Sequence, residues 1–302
     1  MIVYVEESLF DSPAQVLVNT VNTVGVMGKG IAKEFKRRYP EMAAQYKALC
    51  ERGLFEIGKL WLYRASSPWV LNFPTKKHWR EASRIEYIHN GLRKFVDTYR
   101  ERGITSISFP MLGCGNGQLN WDDVRPVMEQ YLSDLPIRVY IHDVQEIVTE
   151  APQKRRSGRG KQLKMRQKVL RFDARKLPFS EFWSDLERLL ERDRTYSTQN
   201  GSQFKAYLEC NADSVSTGVV IESAGERRFI PKSDCLRDLW SRVCNTEYAR
   251  PDEFPADLLQ ISDQIVALLG RLDYIKIVPL RVNYQSPRIH GIRVESMLWD
   301  EL

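Results

Sequence analysis

The first 145 residues alternate two kinds of segment. "IVYVEE", "AQVLVNTVN", "GKLWLYRA", "PWVLNFPT", "ITSISFPM" and "IRVYIHD" are short, mostly apolar and rich in β-branched or aromatic residues, which predicts strands buried on both faces. Between them, "KGIAKEFKRRYPEMAAQYKALCERG", "SRIEYIHNGLRKFVDTYRERG" and "WDDVRPVMEQYLSDL" space their apolar residues three and four apart, the period of amphipathic helices. In the middle helix Ile85, Ile88, Leu92, Phe95 and Val96 fall on one stripe, and Gly103 supplies a C-terminal stop. Such alternation implies helices on both faces of a largely parallel sheet.

Near Ala151 the pattern gives way to a tract rich in Pro, Gly, Ser, Lys and Arg that reads as an exposed linker. Beyond it come a helix ("FSEFWSDLERLLERD"), short strands ("FKAYLEC", "STGVVIES", "RRFIP"), two helices ("SDCLRDLWSRVC", "PADLLQISDQIVALLGRL") and two strands ("YIKIVPLRVN", "IHGIRVESMLW"). This order predicts an α+β domain, and the apolar stripe Phe179, Phe182, Trp183, Leu186, Leu189, Leu190 is its expected core. At about 150 residues per domain the length fits two. The expected boundaries are 1–148 for an α/β domain, 149–171 for the linker and 172–302 for the smaller α+β domain.

Charge refines this division. The formal net charge is +6, yet "QKRRSGRGKQLKMRQKVLR" (153–171) holds nine Lys/Arg and no acid, so removing those nine leaves the rest of the chain at −3. A general electrostatic grip on nucleic acid is therefore not expected of either folded part, although the tract could touch phosphates. No apolar run approaches a membrane span, and "MIVYVEESLF" meets acids where an export peptide would stay apolar. The expected location is the cytoplasm. Five cysteines without a C-x-x-C pair and four scattered histidines predict neither a disulfide framework nor a metal site.

The candidate chemistry lies where strands hand over to helices. "VNTVNTVGVMGKGIAKEF" runs from a strand ending in Asn19 and Asn22, through Gly25, Gly28 and Gly30, into a helix opening at Ile31. A helix start leaves N–H groups unpaired and partially positive, so glycines that admit a close ligand make a phosphate cradle. The spacing fits neither G-x-G-x-x-G nor G-x-x-x-x-G-K-[ST]. One such loop reads equally well as a tight turn. A second, "SISFPMLGCGNGQLNWDDV", repeats the design with Gly113, Gly115 and Gly117, and Asn120 is the expected N-cap with Asp122 and Asp123 behind it. Two such loops at the carboxyl ends of strands would line one crevice and could clasp a diphosphate.

"VNTVNTVGVMGKGIAKEFKRRYP", "NFPTKKHWR" and "PMLGCGNGQLNW", in that order, resemble the macrodomain family, in particular the DNA ADP-ribosyl glycohydrolase antitoxins and the terminal ADP-ribose glycohydrolases. The resemblance covers roughly 1–145 and implies a macrodomain, a three-layer α/β/α fold with a central mixed sheet. It implies that ADP-ribose, as ligand or product, is bound by Ser8, Leu9, Asn19, Val21, Asn22, Gly25, Val26, Met27, Gly28 and Gly30. Thr75 and a second group, Pro110, Leu112, Gly113, Cys114, Gly115, Asn116 and Gly117, would complete the site. Backbone donors would do most of the binding, with Asn22 near the distal ribose. No cofactor or metal is implied.

The family's lysine, after a threonine that follows a central strand, matches Lys76, with Lys77 its exposed competitor. An amine kept neutral by partial burial can attack the anomeric carbon, forming an iminium-type adduct that water resolves. By residue type alone both lysines read as solvated surface. Two positions depart from relatives: Gly117 stands where some carry an aspartate that helps resolve the adduct, and Glu7-Ser8 stands where many carry Gly-Asp or Gly-Asn to read adenine. Cys114, among glycines with no histidine nearby, reads as a small loop residue, and Trp79 beside Lys76 could flank a nucleobase.

The resemblance thus implies an ADP-ribosyl hydrolase removing ADP-ribose from nucleobases, with ADP-ribosylated DNA as the expected substrate. It would act as antitoxin to an ADP-ribosyltransferase toxin held by 172–302 and would have no membrane partner. A non-catalytic ADP-ribose reader tethered to an effector- or DNA-binding domain is the alternative, and neutralisation of a toxin by 172–302 alone is a third.

Overall fold

The computed structural model describes residues 2–143, 170–212, 215–232 and 234–299. By internal contacts the chain divides into two units, Met1–Arg156 with Arg281–Pro287, and Ser157–Leu280 with Arg288–Leu302.

In the first unit the strands are β1 (Ile2–Val5), β2 (Val16–Asn22), β3 (Trp61–Tyr63), β4 (Trp69–Lys76), β5 (Ser106–Pro110) and β6 (Arg138–His142). They lie in the order β1-β6-β5-β2-β4-β3. The first five of that order run parallel, and β3 closes the edge antiparallel to β4, pairing Trp61 with Asn72. The expected mixed sheet is borne out. Alternate residues of one strand serve opposite layers. Leu17, Val21 and Val70 pack on Phe35, Met42 and Tyr46 from helices α1 (Gly30–Arg38) and α2 (Pro40–Glu51). Val16, Val18, Leu71, Phe73, Ile107 and Phe109 pack on Leu92, Phe95, Val124 and Met128 from α3 (Ile85–Thr98) and α4 (Trp121–Leu132).

The single helix expected over 29–53 is two, because Pro40 has no N–H to donate and instead opens α2 at its first turn. Gly103 terminates the α3 segment as expected, at φ +70°, while Ile104 N–H donates to the Tyr99 carbonyl at 3.1 Å. Asn120 caps α4, its side chain accepting from Asp122 N–H at 3.2 Å.

The second unit has an antiparallel sheet in the order β11-β10-β9-β8, from β8 (Thr195–Ser197), β9 (Gln203–Cys210), β10 (Ser216–Ser223) and β11 (Glu226–Pro231). One face of it, Phe204, Ala206, Val219, Ile221 and Ile230, is buried against α5 (Phe179–Arg192), α6 (Cys235–Asn245) and α7 (Ser262–Leu269). This unit is α+β, as expected. β7 (Leu170–Asp173) pairs with β14 (Ser296–Trp299), and β12 (Ile275–Arg281) forms a hairpin with β13 (Ile289–Val294). The helix expected over 255–272 begins instead as a 3-10 turn, Ala256–Ile261. The strand expected over 289–299 breaks at Glu295, whose N–H still donates to the Tyr274 carbonyl opposite it at 2.8 Å, while the residues after it pair with β7 instead. Residues 149–169 of the expected linker lie outside the described residues, and β7 takes up 170 and 171. Among the described residues no helix is long and apolar enough to cross a membrane.

Candidate active site

The crevice follows from topology. β2 sends its chain into α1 on one face of the sheet, while its neighbours β4 and β5 send theirs into α3 and α4 on the other. The chain diverges at the carboxyl ends of these three strands, where an open α/β sheet leaves a cleft. The two glycine loops leave β2 and β5, and Lys76 is the last residue of β4. All three motifs therefore meet on one rim.

The first loop is held by Asn22. Its carboxamide oxygen accepts from Val24 N–H at 3.1 Å and Val26 N–H at 3.2 Å, and its nitrogen donates to the Val26 carbonyl at 2.6 Å. Tyr46 on α2 donates its hydroxyl to the Asn22 carbonyl at 2.7 Å. The Asn22 side chain thus takes up the Val24 and Val26 N–H groups and fixes the turn, so the N–H groups this loop can offer a ligand lie beyond Val26. Gly25 takes φ +80° with its Cα against Lys47 of α2, where a Cβ would come within 3.3 Å. α1 opens at Gly30 with no side chain capping it, leaving its first N–H groups to the crevice. A Cβ on Gly28 would meet only the Val26 side chain, at an ordinary contact distance of 3.8 Å.

The second loop folds on itself through Leu119 N–H to the Gly113 carbonyl and Gln118 N–H to the Gly115 carbonyl, both 3.1 Å. Beneath it lies Ser83, whose N–H donates to the Gly117 carbonyl at 2.9 Å and whose hydroxyl is buried with no hydrogen-bond partner among the described residues. A Cβ on Gly117 would collide with the Gly113 carbonyl oxygen and with that hydroxyl. The missing carboxylate is therefore a matter of space. Cys114 is half-buried, and burial pushes its thiol up to about 11, which leaves it a poor nucleophile at neutral pH.

Asn116 joins the parts. Its backbone carbonyl accepts a short hydrogen bond from Lys76 Nζ, and its side-chain nitrogen packs so closely on Gly30 (φ +54°) that a Cβ there would sit 2.7 Å away. Lys76 is half-buried, and burial lowers its pKa from the ordinary 10.5. Lys77 is exposed, and its carbonyl accepts from Thr23 N–H at 3.1 Å and Thr23 Oγ1 at 2.8 Å, pinning the end of β4 to the first loop. Of the two lysines, Lys76 alone reaches between the loops.

The remaining residues expected in the site divide by exposure. Leu9, Asn19, Val21, Met27, Thr75 and Leu112 are buried, so what they can offer is mostly backbone or shape, while Val26 is 39% exposed. Asn19 donates to Asn72 Oδ1 at 2.9 Å inside the sheet layer. Ser8 accepts from Phe10 N–H at 3.2 Å and caps the turn Leu9–Asp11. Pro110 ends β5 and Gly113 begins the second turn at φ +72°. Sequence reasoning missed Ser83 and Tyr46. Neither belongs to a motif, and only the closeness of Gly117 to Ser83 marks the serine. Among the described residues no group of three or more His, Cys, Asp or Glu is placed to hold a metal ion.

Residues 18–128 match the family model described as Macro domain, and this half of the chain is a macrodomain. It is similar to the DNA ADP-ribosyl glycohydrolase of Thermus aquaticus, with 43% identity over 148 residues, 47% of this chain and 41% of that protein. A DNA ADP-ribosyl transferase-DNA ADP-ribosyl glycohydrolase fusion protein of Thermosipho africanus is 38% identical over 158 residues, 45% of this chain and 41% of that one. The solved structure titled "Thermosipho africanus DarTG in complex with ADP-ribose" aligns with 40% identity and a TM-score of 0.46 over 47% of this chain and 41% of that chain. The matched region spans about two fifths of these relatives' length.

Proposed function

We propose that the macrodomain hydrolyses the N-glycosidic bond between ADP-ribose and a nucleobase in DNA, with Lys76 as the reacting amine. The observation that carries this reading is the half-buried Lys76 Nζ between the two glycine loops, on the Asn116 carbonyl. The loops' N–H groups suit a diphosphate, and the amine then stands beside the distal sugar. Neutral Nζ attacks C1″, and the bond from C1″ to the base nitrogen breaks with its electron pair passing to the base, which takes up a proton. Nζ gives up one proton as the C1″–O4″ bond breaks, O4″ takes up the electron pair and that proton, and an iminium carbon is left at C1″. Water adds there, and the lysine amine and ADP-ribose are released. With Gly117 in place of a carboxylate, water or the ligand's own hydroxyls must carry the protons of that last step. Similarity to proteins described as DNA ADP-ribosyl glycohydrolases supports the substrate, and the fusion with a transferase supports an antitoxin role. In this reading 172–302 holds the cognate transferase.

Incubating the chain in parallel with ADP-ribosylated single-stranded DNA and ADP-ribosylated protein tests the reaction. Release from DNA is expected, falling by about a hundredfold or more in Lys76→Ala and persisting in Lys77→Ala. Full activity of Lys76→Ala would sink the mechanism. A chain that binds free ADP-ribose and releases none from either substrate is a reader. Co-purification of a co-expressed DNA ADP-ribosyl transferase with the full chain, lost on charge reversal of exposed residues in 172–302 while ADP-ribose binding is kept, tests the partner.

A further inference from the structure

The rim of the crevice carries side chains that the core of the unit does not use. Among the described residues, the exposed large hydrophobics of the first half are Val24, Val26, Leu54 and Trp79, and three of these flank the crevice. Val24 and Val26 sit on the first loop and Trp79 follows Lys76, and the Thr23 bonds to the Lys77 carbonyl hold these two stretches together. An exposed tryptophan is the anomaly, because large rings are ordinarily packed away. Trp79 keeps 43% of its surface exposed, with the Arg80 guanidinium carbon 4.5 Å from its ring centroid and the His78 ring 5.4 Å away.

The sequence stretches that carry this rim hold charge of one dominant sign. Between Asp11 and Glu34 the chain carries Lys29 and Lys33 and no acid, and the second loop from Pro110 to Trp121 carries no charge. From 76 to 84, "KKHWREASR" sets Lys76, Lys77, Arg80 and Arg84 against Glu81 alone, and all but Lys76 of these four cations are exposed. This excess is local, in a chain whose basicity otherwise gathers in 153–171. An open aromatic ring among cations is the composition that binds single-stranded nucleic acid, where rings stack on bases and cations follow the phosphates.

The reaction fixes which side this ledge serves. The bond broken joins C1″ to the base, so the base and the strand attached to it lie beyond Lys76 Nζ, away from the diphosphate. The exposed residues that continue from Lys76 are the surface next to that amine, and Thr23 ties them to the first loop. A base inside a duplex could not reach an amine recessed between two loops without leaving its stack.

We infer that Lys77 to Arg84, together with Val24 and Val26, form a ledge for single-stranded nucleic acid. Trp79 stacks on a base at or next to the modified one, and Lys77 and Arg80 meet the flanking phosphates. This rests on the ADP-ribosyl hydrolase reading above. The ledge sets the preference for a strand over an isolated nucleoside.

The test uses the full chain carrying Lys76→Ala, so that substrate is not turned over. Binding is measured by anisotropy for a labelled single-stranded oligonucleotide with one ADP-ribosylated base, and by calorimetry for free ADP-ribose. Adding Trp79→Ala is expected to weaken the oligonucleotide about tenfold and leave ADP-ribose unchanged, with Trp79→Phe restoring most of the loss. Lys77→Ala with Arg80→Ala is expected to flatten the salt dependence of oligonucleotide binding by roughly 0.7 per contact. Equal loss for both ligands, loss for neither, or the same Trp79 dependence on an ADP-ribosylated peptide would overturn the ledge. Turnover by the native chain is scored separately, so a chain that binds the strand through Trp79 and releases nothing removes the hydrolase reading and keeps the ledge.

Discussion

Lys76 illustrates how one residue's environment decides its chemistry. Burial disfavours the ammonium, so its pKa lies below the ordinary 10.5 and the reactive neutral form gains population as pH rises. The single-turnover rate of release is therefore expected to climb about tenfold per pH unit at low pH and to level off before pH 10.5. Lys76→Arg, charged throughout, should be flat and close to background. A native profile still rising at the ordinary lysine value would show that burial does not tune the amine. Gly117 yields a second expectation. Gly117→Asp supplies the carboxylate that some relatives carry, yet its Cβ meets the Gly113 carbonyl and the Ser83 hydroxyl. The variant should therefore lose ADP-ribose affinity, measured by calorimetry, and release no faster than the native chain. Ser83→Gly in the same chain removes one of the two obstacles and should recover part of that affinity.

At the scale of elements, α3 and β4 meet so closely that Gly91 leaves room for no side chain, since a Cβ there would collide with the Phe73 ring. Gly91→Ala gains up to about 1 kcal/mol of helix propensity and loses more to overpacking, about 1–3 kcal/mol. The net expectation is a lower urea midpoint, and an unchanged or higher one would show that Phe73 yields easily. Which elements exist was legible because strand and helix periods differ along the first half. Ile88, Leu92 and Phe95 are buried at the helical spacing read from the chain, and the strands fall where apolar runs lie between turn residues. Breaks were harder to see. Pro40 divides a continuous helical pattern, and β7 and β8, four and three residues long, are too short for an alternation to register. Within the site, the glycines and Lys76 stood out because each belongs to a motif. Ser83 and Tyr46 act through a backbone carbonyl and a buried approach, which leave no pattern in the chain.

At the scale of the whole molecule, the first unit is not continuous in sequence. It includes residues 281–287, where Tyr284 packs at 5.5 Å from the Tyr4 ring and 6.3 Å from Trp121, beneath the Arg125 guanidinium at 4.6 Å. Arg281 adds an ion pair to Glu6 at 2.6 Å, and Tyr4 donates to Glu129 at 2.5 Å. Tyr4 lies on β1 and Trp121 opens α4 directly after the second glycine loop, so a stretch distant in sequence supports the unit that holds the site. A cut after 148 would remove this support. Tyr284→Ala in the full chain is expected to lower the stability of that unit by about 1–3 kcal/mol. Two units need not unfold together, so the measurement must say which transition moved. ADP-ribose supplies the marker, because a ligand stabilises only the unit that binds it. In thermal denaturation, the transition raised by ADP-ribose is the one Tyr284→Ala should lower, leaving any other in place. A shift confined to a transition indifferent to ADP-ribose would place Tyr284 with the second unit instead.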